Sequence, residues 1–380
     1  MFNQTDQMPV IRRIAIVGSG MAGLSAALLL QEQNHEVTIF EKSRGPGGRM
    51  AAKRVAGGSV DIGAQYFTIR NPAFSAFLNR YAEGSFRPWP GRFGYQTTSG
   101  QWEPFPQETR YVGAPRMTAI TRGLSTAADV QAQTRIDSLV RQGQQWLLND
   151  TDGESYGPFD AVIVTAPPAQ TRDLFSNSRL TALSDQMQDH VSHIQPCWAT
   201  AVYFRQALEQ PYDGMRCQNP ILDWIANNSS KPGRDDSGQW WVLHATPQWS
   251  REHENTSADK VSAAMIEAFK KVTGVTVCPD DWISHRWLYA KSSPTEQPGF
   301  RWYGDQRIGL AGDWLTGPWE SWLSGAIDTY IVDGLVDGSQ TSELRQHERG
   351  ERRREDRLTL RCLPQLVAEL VGGSRLDEVA

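Results

Sequence analysis

Ile14-Ala15-Ile16-Val17-Gly18-Ser19-Gly20-Met21-Ala22-Gly23-Leu24 is the stretch on which the fold turns. Its first four residues are apolar and mostly β-branched, which suits a buried parallel strand. The strand runs into G-x-G-x-x-G, and Leu24, Ala27, Leu28 and Leu30 then follow at helical spacing. His35-Glu36-Val37-Thr38-Ile39-Phe40 reads as a second strand, closing on Glu41. A strand, glycine turn, helix and strand within about 30 residues, ending in an acid, is the pattern of a dinucleotide site. Gly18 permits the tight turn, Gly20 lets a pyrophosphate approach the backbone, and Gly23 lets the helix pack on the strand. The helix begins at Met21-Ala22, where free N–H groups and the positive dipole end meet the phosphates. Glu41 can accept hydrogen bonds from both hydroxyls of a ribose and would repel a 2′-phosphate, which disfavours NADP in this slot.

The rest of the composition narrows the class. The chain has 380 residues, with 38 Lys+Arg against 43 Asp+Glu, a net charge of −5. That balance argues against a general nucleic-acid binder. Cys197, Cys217, Cys278 and Cys362 are too widely spaced for a zinc or redox motif, so no metal site is expected and the thiols read as reduced and mostly buried. Arg12-Arg13 before the apolar run imitates a signal peptide, but three glycines interrupt the run and no cleavage site follows. No stretch reaches the roughly 20 apolar residues of a membrane span. The expectation is a soluble, cytoplasmic protein. Trp, at 14, outnumbers both Phe and Tyr, which fits either a planar-ligand cavity or a Trp-rich core.

Beyond Glu41, Lys42-Ser43-Arg44-Gly45-Pro46-Gly47-Gly48-Arg49 supplies a second glycine-rich loop. Arg49 can make charge-assisted bonds to the far side of a pyrophosphate. Val60-Asp61-Ile62-Gly63-Ala64-Gln65-Tyr66-Phe67 reads as a turn and strand. Downstream, Asp160 to Pro168 contains an apolar, β-branched run, and Ile308 to Ala311 reads as an apolar strand ended by Gly312-Asp313.

E-x-x-x-R-x-G-G-R after the first glycine turn resembles the FAD signature of the flavin amine oxidase superfamily. Asp61 to Phe67, with Trp241 to Ser250, resembles its renalase-like branch. Gly312-Asp313 resembles the closing motif of the FAD domain. The likeness runs from about residue 12 to 337. It implies an α/β fold: a Rossmann-type, glutathione-reductase-like FAD domain with an inserted α+β substrate domain on a mixed or antiparallel sheet. The FAD domain would be discontinuous, from 11–70, 128–172 and 300–337. The insertions 71–127 and 173–299 would form the substrate domain, and 338–380 a mixed-charge C-terminal extension. Helices are expected from Pro115 and from Ser257, the latter as a cap, with its end near Gly274.

The resemblance also assigns roles. FAD, held non-covalently, would contact Gly18, Gly20, Met21, Ala22, Gly23, Glu41, Lys42, Gly48, Arg49, Gly63, Ala64, Gln65, Ile136, Ala166, Gly312, Asp313, Glu320, Trp322 and Leu323. Amine oxidases of the superfamily place a lysine near the flavin. The expected strand, Cys197 to Phe204, has none, although Lys291 stands in another segment. The renalase-like branch oxidises 2- and 6-dihydro isomers of NAD(P)H and passes the electrons to O2, giving hydrogen peroxide. Such a substrate is already a hydride donor. A flat aromatic and polar pocket suffices for it, with Gln65, Tyr66, Trp287, Tyr289 and Trp322 as walls. His244 is the candidate catalytic residue, to hydrogen-bond a carboxamide; the alternative is a satisfied core histidine. The competing readings are an amine oxidase or desaturase on another small substrate, and a flavin-binding sensor or scaffold without turnover. Neither a nucleic acid nor a membrane is an expected partner, and the oligomeric state is left open.

Overall fold

A computed structural model of the chain describes residues 12–56, 58–292, 299–316 and 326–327. The Arg13–Val17 strand lies inside a six-stranded sheet. Its neighbours are Glu36–Glu41 and Ala161–Val164, both parallel. Asp129–Ala132 extends the sheet on one side. On the other side come Ile308–Ala311, parallel, and Phe300–Tyr303, antiparallel. Ile14, Ala15 and Ile16 have no exposed surface, as expected for a strand covered on both faces. The fold is α/β, and this sheet gathers strands from three separate stretches of chain.

The Met21–Glu32 helix follows the glycine turn at once. A Cβ on Gly23 would stand 2.0 Å from the Gly18 carbonyl oxygen, so only glycine lets the helix sit this close to the turn. Gly18 itself has φ +107°, a conformation L residues rarely adopt. The Thr165 hydroxyl donates to the carbonyls of Val17 and Gly18, tying the returning strand to the turn.

The second layer is a mixed seven-stranded sheet, in the order Asp281–Ser292, Ile194–Phe204, Gln239–Ala245, Leu222–Asn227, Gly214–Arg216, Phe93–Gln96, Trp102–Pro104. Side chains alternate across it. Trp241, Leu243 and Ala245 share a core with Val261, Met265 and Phe269 of the Ala258–Thr273 helix. Ala199, Ala201, Trp240 and Val242 on the opposite face pack on Val60 and Ile62. The row Trp240, Val242, His244 therefore points His244 toward the first layer.

Residues 71–127 serve both layers. Phe86–Pro88 and Tyr111–Gly113 build a small sheet on Tyr66–Phe67. The Thr118–Ser125 helix puts Ile120 and Leu124 into one core with Leu24 and Leu28. That helix starts three residues later than its sequence suggests, because the Met117 amide is held by the Asp61 carboxylate at 2.9 Å. Ser257 occupies the expected cap position without a capping side-chain bond, and Gly274, at φ +74°, ends the helix. Cys197 and Cys217 are buried free thiols, and Cys278 is exposed.

Candidate active site

Between the two layers lies a cavity of ≈ 1490 Å³. That exceeds the roughly 300–1,000 Å³ of a drug-sized site, so a dinucleotide and a second small molecule have room together. One wall is the glycine turn. Gly18, Ser19, Gly20, Met21 and Ala22 line it. A Cβ on Gly20 would meet nothing within 4 Å, so the space before it is open cradle. No side chain caps the helix there and no acid sits in its first turn, leaving its N–H groups to a ligand anion. This donor set fits a pyrophosphate. Glu41, at the end of its strand, also lines the cavity. Its carboxylate accepts from the Ser19 amide at 3.0 Å, the Ser19 hydroxyl at 2.8 Å and the Ser43 amide at 2.8 Å. It thus shapes the phosphate turn as well as facing the cavity.

Lys42, Gly48, Arg49, Gly63, Ala64, Ile136, Ala166, Gly312 and Asp313 line the same space. Arg49 and Asp313 meet in a two-pronged ion pair, at 2.5 and 2.6 Å. Gly23 does not line the cavity; it serves the helix packing described above. Glu320, Trp322 and Leu323 lie outside the described residues.

The opposite wall belongs to the seven-stranded sheet and the Ile62–Ala64 segment. His244, His285, Trp287, Tyr289 and Lys291 line it. The Ile62 carbonyl accepts from Trp287 Nε1 at 3.1 Å and lies 3.3 Å from His244 Nε2. Burial lowers both His244 and His285 to about 4, with Lys291 and Lys53 respectively adding repulsion, so both rings are neutral at pH 7. Burial pushes the Cys197 thiol up to about 12, which leaves it protonated in this wall. Lys291 reaches the wall from the strand beside Ile194–Phe204 and is held by Asp223 at 3.0 Å.

Two expectations need correction. Neither Gln65 nor Tyr66 lines the cavity; both are fully buried behind its wall. The Gln65 amide donates to the carbonyls of Asp61 at 2.5 Å and Gly63 at 2.9 Å, and its oxygen accepts from Lys231 at 2.9 Å. These bonds turn the side chain away from the cavity. Tyr66 packs on Trp224 and Phe93, with the Arg110 guanidinium 5.4 Å from its ring centre. Burial raises its hydroxyl well above the usual range.

Among the described residues, ten lysines and arginines line the cavity against four acids: Glu41, Asp137, Asp173 and Asp313. Lys53, Arg54, Arg116, Arg122 and Arg135 among them were not singled out from sequence. They come from four separate segments, and nothing in any one segment marks them. No cluster of His, Cys, Asp and Glu among the described residues is arranged to hold a metal ion. No described helix is long and apolar enough to cross a membrane.

Comparison with known proteins agrees with this geometry. Residues 16–81 match the NAD(P)-binding Rossmann-like domain model. Residues 105–329, more than half of the chain, match the flavin containing amine oxidoreductase model. A hydroxyneurosporene desaturase of Rubrivivax gelatinosus is 45% identical over 58 residues, 15% of this chain and 11% of the desaturase. A zeta-carotene-forming phytoene desaturase of Myxococcus xanthus is 48% identical over 52 residues, 14% of this chain and 10% of the relative. The match thus spans about a tenth of these relatives' length. Among solved structures, a putrescine oxidase variant shares the fold with a TM-score of 0.63 at 10% identity, covering 95% of this chain and 98% of that one. Cyclohexylamine oxidase from Brevibacterium oxydans IH-35A gives 0.61 at 11% identity, covering 80% and 94%. With its glycine cradle, its returning strands and a family match across more than half its length, the chain belongs to the flavin containing amine oxidoreductase family, a family of FAD-dependent oxidoreductases.

Proposed function

We propose that this protein is a renalase-like oxidase that converts 2- and 6-dihydro isomers of NAD(P)H to NAD(P)+. Each turnover would consume one O2 and one proton and release one hydrogen peroxide. The carrying observation is the charge of the cavity, with ten cationic side chains against four acids among the described residues. A protonated amine would enter this field against repulsion, whereas a dinucleotide brings the negative charge the lining favours.

Bound FAD supplies the two-electron acceptor, without covalent attachment. The protein supplies orientation and charge. Gly18, Gly20 and the helix start at Met21 and Ala22 would hold its pyrophosphate, and Glu41 and Ile136 would serve its adenosine half. On the substrate side, Trp287 and Tyr289 offer flat surfaces. His244, neutral and with Nε2 engaged by Ile62, presents its ring to a nicotinamide carboxamide without adding charge. A substrate that already carries a transferable hydride needs no base to remove a proton, consistent with two imidazoles held neutral by burial and a thiol that stays protonated.

A second reading, a desaturase of apolar substrates, draws support from the carotenoid desaturase relatives. Their likeness covers 52 to 58 residues, the length of a nucleotide-binding unit, and a cation-rich cavity is a poor solvent for a hydrocarbon.

The test is anaerobic mixing of the yellow protein with borohydride-reduced NAD isomers. Loss of the flavin's visible absorbance is expected. If the flavin stays oxidised with the isomers and bleaches with an amine, the proposal fails.

A further inference from the structure

Behind the Ile62–Ala64 wall lies a group of charges that the cavity lining does not include. The Asp61 carboxylate is 3.2 Å from Lys231 Nζ and is also paired to the Arg234 guanidinium. The three side chains are 1%, 0% and 2% exposed. Lys231 also donates to Gln65 and sits 5.3 Å from the centre of the Trp89 ring. Arg234 donates to the carbonyls of Gly113 and Pro232, each at 2.7 Å. Two cations therefore share one carboxylate. Among the described residues, Asp61 is the one carboxylate in an ion pair with either cation.

Burial of an unbalanced charge is costly unless something uses it. The cavity is the nearest user. Asp61 and Gln65 bracket Ile62, Gly63 and Ala64, whose atoms line it. The charge of Lys231 is felt at His244 on the cavity side, where it opposes protonation of the ring.

We propose that the Asp61–Lys231–Arg234 cluster carries one surplus positive charge behind the cavity wall, and that this charge makes a flavin held in the cavity a stronger electron acceptor. Lys231 is a positioning and tuning residue, acting through the wall. The role is the same whichever substrate the enzyme takes. Burial lowers the Lys231 ammonium to about 8, so it is charged at neutral pH.

The test counts charge. K231M and R234M each reduce the cluster to zero net charge, K231R keeps the surplus, and K231M/D61N restores it with two groups removed. Sulfite, an anion that bleaches oxidised flavin when it binds, is the probe. Its dissociation constant is expected to rise roughly tenfold in K231M and R234M, the order for one charge acting through protein. It should stay within about threefold of wild type in K231R and K231M/D61N, since these keep the charge. The flavin midpoint potential should fall in the same two variants. In flavin-free protein, the His244 titration read by NMR should move up toward its ordinary value in K231M. Wild-type sulfite affinity in a folded, flavin-loaded R234M or K231M would overturn the proposal. So would a double variant K231M/D61N as impaired as K231M, which is what loss of packing predicts. If sulfite fails to bleach even the wild type, an unmoved His244 titration in K231M overturns it.

Discussion

Arg49 and Asp313, 264 positions apart in the chain, meet in two parallel N–H···O bonds at the edge of the cavity. This fork is geometrically specific, since only a guanidinium offers two such donors to one carboxylate. It joins the second glycine-rich loop to the turn after the Ile308–Ala311 strand. R49K is therefore expected to weaken FAD binding, and R49M to weaken it by roughly tenfold or more, the scale of a lost charge-assisted bond. Titration of flavin-free protein by FAD fluorescence measures both. An R49M variant that binds FAD like wild type would remove Arg49 from the cofactor site.

Two glycines of one motif should separate in their effects. Gly20→Ala adds a methyl group that touches nothing of the protein, whereas Gly23→Ala drives one to 2.0 Å from the Gly18 carbonyl. G20A should fold normally and lose FAD affinity. G23A should lose several degrees of melting temperature even without flavin, since the helix must move off the turn. Thermal melts of flavin-free protein, alongside FAD titrations, check both.

His244 makes stability depend on pH. Its folded value, about 4, lies below the ordinary 6.5, so between these limits the unfolded chain binds the extra proton. Stability should thus fall as pH drops from 6.5 to 4, by up to about 1.4 kcal/mol per pH unit from this residue. H244Q should flatten that slope. Denaturant unfolding at a series of pH values measures it, and an unchanged slope in H244Q would refute the burial argument.

The excess of cations in the described lining gives an ionic-strength signature. With an anionic dinucleotide isomer, kcat/KM should fall as salt rises. K53Q and R116Q should each raise KM severalfold, with kcat little changed, because uniform binding is lost. A neutral dihydronicotinamide fragment should show neither effect.

The central parallel strands of the six-stranded sheet and the phosphate turn were legible in the sequence because their determinants are local: β-branched runs, glycine spacing, a terminal acid. The cavity's lining was legible where a motif carried it, at Gly48, Arg49 and Asp313. Gln65 and Tyr66 were misplaced for a physical reason. Ile62, Gly63 and Ala64 of their segment do line the cavity, but Lys231, 166 positions away, captures Gln65, and an aromatic cluster captures Tyr66. Lys231, Arg234 and the scattered cavity cations left no periodic or motif signal. Their meaning arises only when distant segments converge on one space.

The position of the Ile308–Ala311 strand has a consequence for biosynthesis. It is the partner that covers one edge of the fully buried Ala161–Val164 strand. While a ribosome is still adding residues 165 to 307, that edge waits with its amides and carbonyls unpaired and its valines and isoleucine bare. The nascent chain must therefore carry an incomplete, sticky β-sheet through the synthesis of that whole intervening stretch. Asp313 emerges later still, so the Arg49–Asp313 clasp can close only after that strand has been made.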